Sequence, residues 1–574
     1  MTDVRVAILG NPSHAGVAWT PETLAGLVQS GFTAIQLNIA WSYRPHDEPL
    51  NLEDVFPVEG SPEPLALPGT ENAERRQREL RLRASLARDA GLRTIFHFGA
   101  PFQGRTGYEG KHLPQCISDP ATSKRYVDAV AAFGEANPDI DDLLIYTYDQ
   151  DAWLCSEFAG CDSCAGVPLH ERVPAFLSAL SSAWRRVRAG GRIWWEPWEL
   201  SAGQTLACIP RLDPAMGLML HGSIAEVVST IAGDRFVRNA ASLAAAHGIP
   251  VVGEVFLSSA NEEVEPWGRL PVPLVTLRQL RDLERIPGIV GIKEYFGLVP
   301  SPFDVNLAAA AAYFADPRVS ERDILDSLAE PWGRPWLTEF WSSASLAYEL
   351  YPWDASWFGR QLGRSQPMHE LSAATVRGMQ SSASEWDTPA WKSTRGSIFM
   401  RLSNDEAHPW LLEDVGLRFA AAAAAMEVAV AGFDAAFTNS GDDSARELLI
   451  QRSEAVAFIT RTTAYHCHVR ETLLARTIRT DPPTRHRLLE ELRAVLETDL
   501  ANQQRELSRG AGSDADAATP LQFAERWVVP ERTHIDMITD AITLFDKDPE
   551  QFLAAYLLPG HDAASAGQFT LTSS

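Results

Sequence analysis

Two carboxylates and three thiols leave one predicted strand together. The stretch from Leu143 to Pro174 reads LLIYTYDQDAWLCSEFAGCDSCAGVPLHERVP. Leu143, Leu144 and Ile145 form an apolar run, and the β-forming Tyr146, Thr147 and Tyr148 follow, so the segment starts as a buried strand. Asp149 and Asp151 stand at its exit, where a carboxyl group can transfer a proton, and Cys155, Cys161 and Cys164 come next in one polar loop. Cys116 lies in the connection after the preceding predicted strand and can fold back over the same face. Four thiols, the last two in C-x-x-C spacing, suit a closed structural zinc site that orders loops with little apolar surface of their own. A disulfide and unrelated reduced thiols are the competing readings. Cys208 and Cys467 lie elsewhere and are expected in packed surroundings.

Other apolar runs also end in groups able to do chemistry. Asn38, Trp41 and Arg44 follow the second run and His97 the third. Glu196 follows the fifth among Trp194, Trp195 and Trp198, and His221 follows the sixth. Glu254 follows the seventh, in VVGEVF, and Lys293, Glu294 and Tyr295 follow the eighth, in IVGIKEYFG. Hydrolysis of a glycosidic bond needs one carboxylic acid to protonate the leaving oxygen and a second carboxylate as nucleophile or base. Asp149, Asp151, Glu254 and Glu294 are the candidates for those roles. Trp41, Trp195 and Trp198 offer flat apolar faces to a sugar, and the chain's 17 Trp are a generous supply. Asn38, Arg44, His97, Glu196, His221 and Tyr295 are the candidates for holding hydroxyls. Glu294 sits beside Lys293 in sequence, but alternation along a strand points the two apart.

These residues need a frame that brings strand ends together. From the start to about residue 310, eight strand-like runs alternate with amphipathic helical stretches. They are Val4 to Leu9, Ala34 to Ile39, Thr94 to Phe98, Leu143 to Tyr148, Arg192 to Trp195, Gly217 to Leu220, Val251 to Phe256 and Ile289 to Ile292. Eight βα units predict a (β/α)8 TIM barrel, with chemistry at the carboxyl ends of the strands. The doubly wound sheet competes, but no Gly-rich phosphate loop follows the first strand. The long connection from Pro45 to Gly69 is expected to shape the mouth. Past about residue 315 helical periodicity takes over, from Ser320 to Leu328, Trp341 to Leu350, Leu411 to Phe437, Ala445 to Ile478 and Pro483 to Ser508. A linker is expected from Gly510 to Thr519. The division is therefore a catalytic barrel over residues 1–315 and a mostly α-helical domain over 316–574, the latter offering a face for a homodimer.

With an acidic fourth-strand exit, the IKEYFG strand and a helical half, the chain resembles the α-glucuronidase and β-hexosaminidase-like barrels. The resemblance implies a glycoside hydrolase with Asp149 or Asp151 as general acid and Glu254 or Glu294 as the later-strand carboxylate. The chain departs from those families in carrying Asp-Gln-Asp where they have Glu and in starting directly with a barrel strand. One Cys after the third strand and three after the fourth is similar to the zinc cluster of the family 42 β-galactosidases. That likeness implies zinc on Cys116, Cys155, Cys161 and Cys164, although the C-x5-C-x2-C loop is longer here.

Composition narrows the partners. Fifty basic residues against 75 acidic ones give a formal charge of −25, which repels phosphate backbones and anionic bilayers. A nucleic acid or membrane partner is not expected, and a carbohydrate fits better. The most apolar long stretch, Val415 to Phe437, carries Arg418, Glu427 and Asp434 and reads as a buried helix. No leader pattern is seen in MTDVRVAILG, so a cytoplasmic, exo-acting enzyme on short glycosides is expected. No organic cofactor is implied. A metal-dependent sugar isomerase or epimerase is the alternative, with Glu196, Glu254, Glu294 and His221 around a divalent ion. A non-catalytic binding protein is the third class, in which the acids would be paired with basic side chains.

Overall fold

The computed structural model describes residues 4–10, 17–38, 51–56, 58, 60–61, 70–103, 113, 115–147, 152–155, 161–197, 200, 202–222, 232–257, 270–353, 408–478, 485–512 and 531–554. Eight strands close into a barrel in chain order: β1 Val4–Ile8, β2 Ala34–Gln36, β3 Arg93–Gly99, β4 Asp142–Tyr146, β5 Ile193–Glu196, β6 Gly217–Leu220, β7 Val251–Val255 and β8 Ile289–Glu294. Every neighbouring pair is parallel, and β1 pairs with β8 to complete the circle. The expected TIM barrel with a helical region after it is therefore the fold.

The barrel interior follows from period-two alternation. Val6, Ala34, Ile95, Leu144, Trp194, Met219 and Val252 point inward and form one apolar layer. Trp194 fills this layer because Gly217 on the next strand has no Cβ, which would stand 2.3 Å from the indole. Two residues further along, the next inward positions are Ile8 on β1 and Gln36, His97, Tyr146, Glu196, His221 and Glu254 on or just past β2 to β7. An apolar plug thus lies directly beneath a polar layer at the carboxyl ends of the strands. On β8 a register shift between Val251 and Val252 sets Gly291 opposite Val252 and Lys293 opposite Glu254. Lys293 thereby joins the inward polar layer.

Helices on the outside start with clear caps. Asp119 accepts N–H groups of Ala121 and Thr122 ahead of the helix Pro120–Ala136, and Asp234 accepts that of Val237 ahead of Arg235–Ala246. Strand limits differ from expectation where pairing sets them. β2 stops at Gln36, while β8 runs on to Glu294 because Val255 is still available as its partner. Inside the long second connection, Leu52–Val55 forms one helical turn, closed by Asn51 N–H donating to Asp54 Oδ2 at 2.8 Å.

The chain divides into two compact units. The barrel unit spans Met1–Ser258 and Thr276–Ile324, with a short further piece, and the second unit holds Ser259–Val275 and most of the chain from Leu325 on. The second unit contains the helices Leu337–Glu349, His408–Ala436, Asp443–Ile478, Arg485–Gly512, Glu531–Lys547 and Pro549–Ala554. Its aromatic centre gathers Tyr348, Tyr351, Trp353, Phe419 and Phe458. Helix Arg485–Gly512 runs past Gly510, where a linker was expected to begin. Among the described residues one helix segment, Glu413–Ala436, is long and apolar enough to cross a membrane. Its Val415, Phe419, Met426 and Phe433 are buried in the second unit, as in a core helix.

Candidate active site

The inward polar layer assembles a charge cluster from four strands. Lys293 Nζ donates to Glu254 Oε1 at 2.7 Å and to Glu196 Oε1 at 3.3 Å. His97 Nε2 stands 2.9 Å from Glu196 Oε2, a close contact whose angle falls short of an aligned hydrogen bond. Glu196 Oε2 and Glu254 Oε2 are both buried with no hydrogen-bond donor on them. His97, Glu196, Glu254 and Lys293 are sealed from solvent, whereas His221 at 8 % and Tyr295 at 5 % keep slight exposure. Tyr295 ties the group together, its ring 5.5 Å from Lys293 Nζ and 5.5 Å from the His221 ring.

Burial sets the proton affinities. It pushes the Glu254 carboxyl up to about 8, aided by the neighbouring Glu196 and only partly opposed by Lys293 and His221. Burial, with Lys293 nearby, also holds His97 well below its ordinary value, so the ring is neutral. Burial alone would lower Lys293, but Glu196 and Glu254 together outweigh it and raise its affinity for the proton. The outcome is a cation shared between two carboxyl groups, one of which keeps its proton near neutral pH.

The remaining candidates fall in other places. Glu294 faces away from this cluster, as alternation requires. Its Oε2 accepts the Leu257 N–H at 2.8 Å, and its Oε1 those of Phe296 and Gly297 at 3.0 Å each. Burial lifts it to about 7 against those three donors. Asn38 spends its amide on the His97 backbone, donating to its carbonyl at 2.7 Å and accepting its N–H at 3.0 Å. Trp195 lies between the inward Trp194 and Glu196, so it points to the outer layer, where its indole N–H donates to Thr147 Oγ1 at 3.1 Å. It is not a platform at the mouth. Trp41, Arg44, Asp149, Asp151 and Trp198 lie outside the described residues. Lys293 is the group whose role the sequence reading missed.

The four cysteines converge. The Sγ atoms of Cys116, Cys155, Cys161 and Cys164 all lie within 4.8 Å of one another, every residue is buried, and all are free thiols. The thiols are gathered rather than scattered, and no two of them are bonded to each other. The Cys161 carbonyl accepts the N–H of Cys164 at 3.2 Å and of Ala165 at 2.9 Å, the turn that C-x-x-C spacing builds. Arg172 braces it, donating to the carbonyls of Cys155 and Val167, each at 2.8 Å. Gln103 joins the two loops, donating to the Gln115 carbonyl at 2.8 Å and the Trp153 carbonyl at 2.6 Å. A hydrogen bond from Cys155 draws the Cys116 thiol down to about 5.

No family model matches the chain, and no curated protein does. Among solved structures it is similar to a GH138 enzyme targeting pectin rhamnogalacturonan II. The TM-score is 0.58 at 12 % identity, over 96 % of this chain and 68 % of that one. Weaker likenesses are to a point mutant of the Thermobaculum terrenum O-GlcNAc hydrolase and to a family 5 glycoside hydrolase from Prevotella bryantii B14. The first has a TM-score of 0.38 at 10 % identity, over 96 % of this chain and 98 % of that one. The second has 0.36 at 13 %, over 55 % and 96 %. The likeness to the GH138 enzyme supports the fold.

Proposed function

We propose that the chain is a glycoside hydrolase, exo-acting on short glycosides, whose paired carboxyl groups are Glu196 and Glu254. The observation that carries this reading is that one ammonium, Lys293, touches both carboxyl groups at the carboxyl ends of the barrel strands. Oxygens that share one hydrogen-bonding cation lie closer than the roughly 6.5–9.5 Å an inverting pair keeps open for its water, which favours retention of configuration. The structural likeness to the pectin-targeting GH138 enzyme is consistent with a carbohydrate substrate. Asp149 and Asp151, the expected fourth-strand acids, lie outside the described residues, and the pair proposed here does without them. Glu294, engaged by three backbone N–H groups, is assigned to holding the β7 and β8 exits.

The isomerase reading asks for a divalent ion among Glu196, Glu254, Glu294 and His221. Lys293 already places a cation between the first two, and Glu294 turns to the backbone. A non-catalytic barrel would pair each acid with its own base. Here a single base serves two acids, and the shortfall is made up by a proton, which is what acid catalysis uses.

The cysteine cluster is assigned to structural zinc. A tetrahedron with Zn–S bonds of roughly 2.3 Å spaces its sulfurs about 3.8 Å apart, which four thiols within 4.8 Å of one another accommodate. The ion would tie the β3 and β4 exits and supply no step of the reaction.

The test is a panel of α- and β-linked aryl hexosides, hexosaminides, uronides and pentosides, run on wild type beside Glu196→Gln and Glu254→Gln. Turnover of one sugar that each substitution cuts by about a hundredfold or more supports the reading. Turnover indifferent to both changes removes it.

A further inference from the structure

We propose that Gln115 and Arg125 are positioning residues that couple metal occupancy of the thiol cluster to the second connection, so that the ion governs how tightly the mouth holds its glycoside. The inference rests on the zinc and hydrolase readings and extends them to a loop that leaves a different strand, β2.

Gln115 stands next to Cys116 in the chain, and its backbone belongs to the frame of the cluster. Its N–H donates to Gln103 Oε1 at 3.0 Å, and its carbonyl accepts from Gln103 Nε2 at 2.8 Å. The same Nε2 reaches the Trp153 carbonyl at 2.6 Å, just ahead of Cys155. The Gln115 side chain serves the second connection instead. Its Nε2 donates to the Gly60 carbonyl at 3.3 Å, and its Oε1 accepts from Arg125 Nη2 at 2.8 Å. Arg125, on the helix Pro120–Ala136, closes the triangle by donating from Nη1 to the Gly60 carbonyl at 2.9 Å. Gly60 has φ +77°, and a Cβ on it would stand 2.5 Å from that Nη1, so the close approach needs glycine.

The next residue repeats the tie. Ser61 Oγ donates to Glu53 Oε1 at 2.8 Å, and the Tyr126 hydroxyl donates to the same oxygen at 2.7 Å. That hydroxyl in turn accepts the Phe102 N–H at 2.7 Å past the end of β3, and Phe102 bridges to Ala152 past the end of β4. Glu53, Gln103, Gln115 and Tyr126 are buried, so each bond lost here leaves a polar group without water to replace its partner. Hydrogen-bond geometry tolerates little sliding, and a shift at one end of such a network reaches the other.

The cluster is the end that depends on metal. Leu113 is the apolar side chain packed against the four cysteines. Apolar burial therefore contributes little to these loops, and removing the ion frees the turn at Cys116 with the neighbouring Gln115. The Gly60 carbonyl is then held less firmly against the β3 exit. Trp41 and Arg44, the sugar-contact candidates of this connection, precede it in the chain. Glycoside binding weakens, while Glu196 and Glu254 keep their contacts to Lys293. Linkage makes the effect mutual, so a glycoside held by the connection tightens the metal by the same factor.

Hydrogen exchange of the full chain, zinc-loaded and chelator-stripped, tests the coupling without turnover. In wild type the amides of residues 51–61 should exchange about tenfold faster once zinc is removed, while the helix Arg235–Ala246, between β6 and β7, stays protected. Arg125→Met should show the fast exchange with about one zinc per chain still bound, and Gln115→Ala should do the same. Stripping zinc from either variant should add nothing further at 51–61. Exchange at 51–61 that ignores zinc in wild type, or that rises equally in Arg235–Ala246, overturns the coupling. With a glycoside found on the panel, Arg125→Met and stripped wild type should each raise KM about tenfold and leave kcat within about twofold, and a fall in kcat alone also overturns it. A chain that takes up no zinc defeats the cluster reading and the coupling together. Zinc-dependent protection with no turnover on the panel defeats the hydrolase reading and leaves the coupling standing.

Discussion

Lys293 Nζ and Glu254 Oε1 meet at 2.7 Å with both side chains closed off from solvent. The contact is half of a three-body arrangement, since Glu196 draws on the same ammonium. Removing one member of a buried ion group costs roughly 3–5 kcal/mol because the others are left uncompensated. Lys293→Met should therefore destabilise the barrel by about that much at pH 8. At pH 5 the loss should shrink, because Glu254, raised to about 8, is then protonated and no longer leaves a bare carboxylate. Urea midpoints at the two pH values decide it, and equal losses would defeat the argument.

Glu254 links stability to pH on its own account. Its folded-state value of about 8 lies above the ordinary 4.5. Between the two, the native state holds a proton that the unfolded chain has released, so stability falls as pH rises. The contribution is complete below about 4.5 and gone above about 8. Glu254→Gln removes this slope, so the variant should gain on wild type by a few kcal/mol from pH 5 to pH 8, at up to roughly 1.4 kcal/mol per unit. Glu53 and Glu294, each lifted to about 7, are present in both proteins and cancel in the comparison. A constant difference across that range would show that Glu254 does not hold the proton.

Much of this was legible in the chain. Apolar runs such as LLIY and VVGEV mark strands whatever their exact limits, and eight of them in βα alternation leave few topologies open. His97, Glu196, His221 and Glu254 were also readable, because each lies two residues beyond an inward apolar side chain. Lys293 was harder. Its facing depends on the register shift against Val251 and Val252, which no local pattern announces. Trp195 misled for the opposite reason, since residue type suggested a sugar platform while alternation with Trp194 already assigned it to the outer layer. Asn38 looked like a hydroxyl ligand, but a buried amide beside an unpaired strand end is drawn to the backbone first.

Zinc on the thiol cluster predicts a simple stoichiometry. Purified protein should carry about one zinc per chain, and Cys164→Ser should lose it and fall in Tm. Cys208→Ser removes a buried thiol that is not part of the cluster and should keep the metal. Elemental analysis with thermal melts, before and after a strong chelator, reads both. Metal-free protein whose melt ignores the chelator would leave the four cysteines as packed thiols.

Glu294 was a catalytic candidate by position, and its contacts predict a different kind of loss. Three backbone N–H groups, of Leu257, Phe296 and Gly297, converge on its carboxylate. Glu294→Ala orphans all three, at roughly 1–3 kcal/mol for each buried donor left unsatisfied. The variant should therefore unfold at markedly lower urea, and its remaining folded fraction should keep turnover of any glycoside that the wild type cleaves. Glu254→Gln should show the reverse, losing turnover without comparable loss of stability. If instead Glu294→Ala is as stable as wild type and loses turnover alone, Glu294 acts on substrate, and the division between a chemical pair and a structural clamp fails.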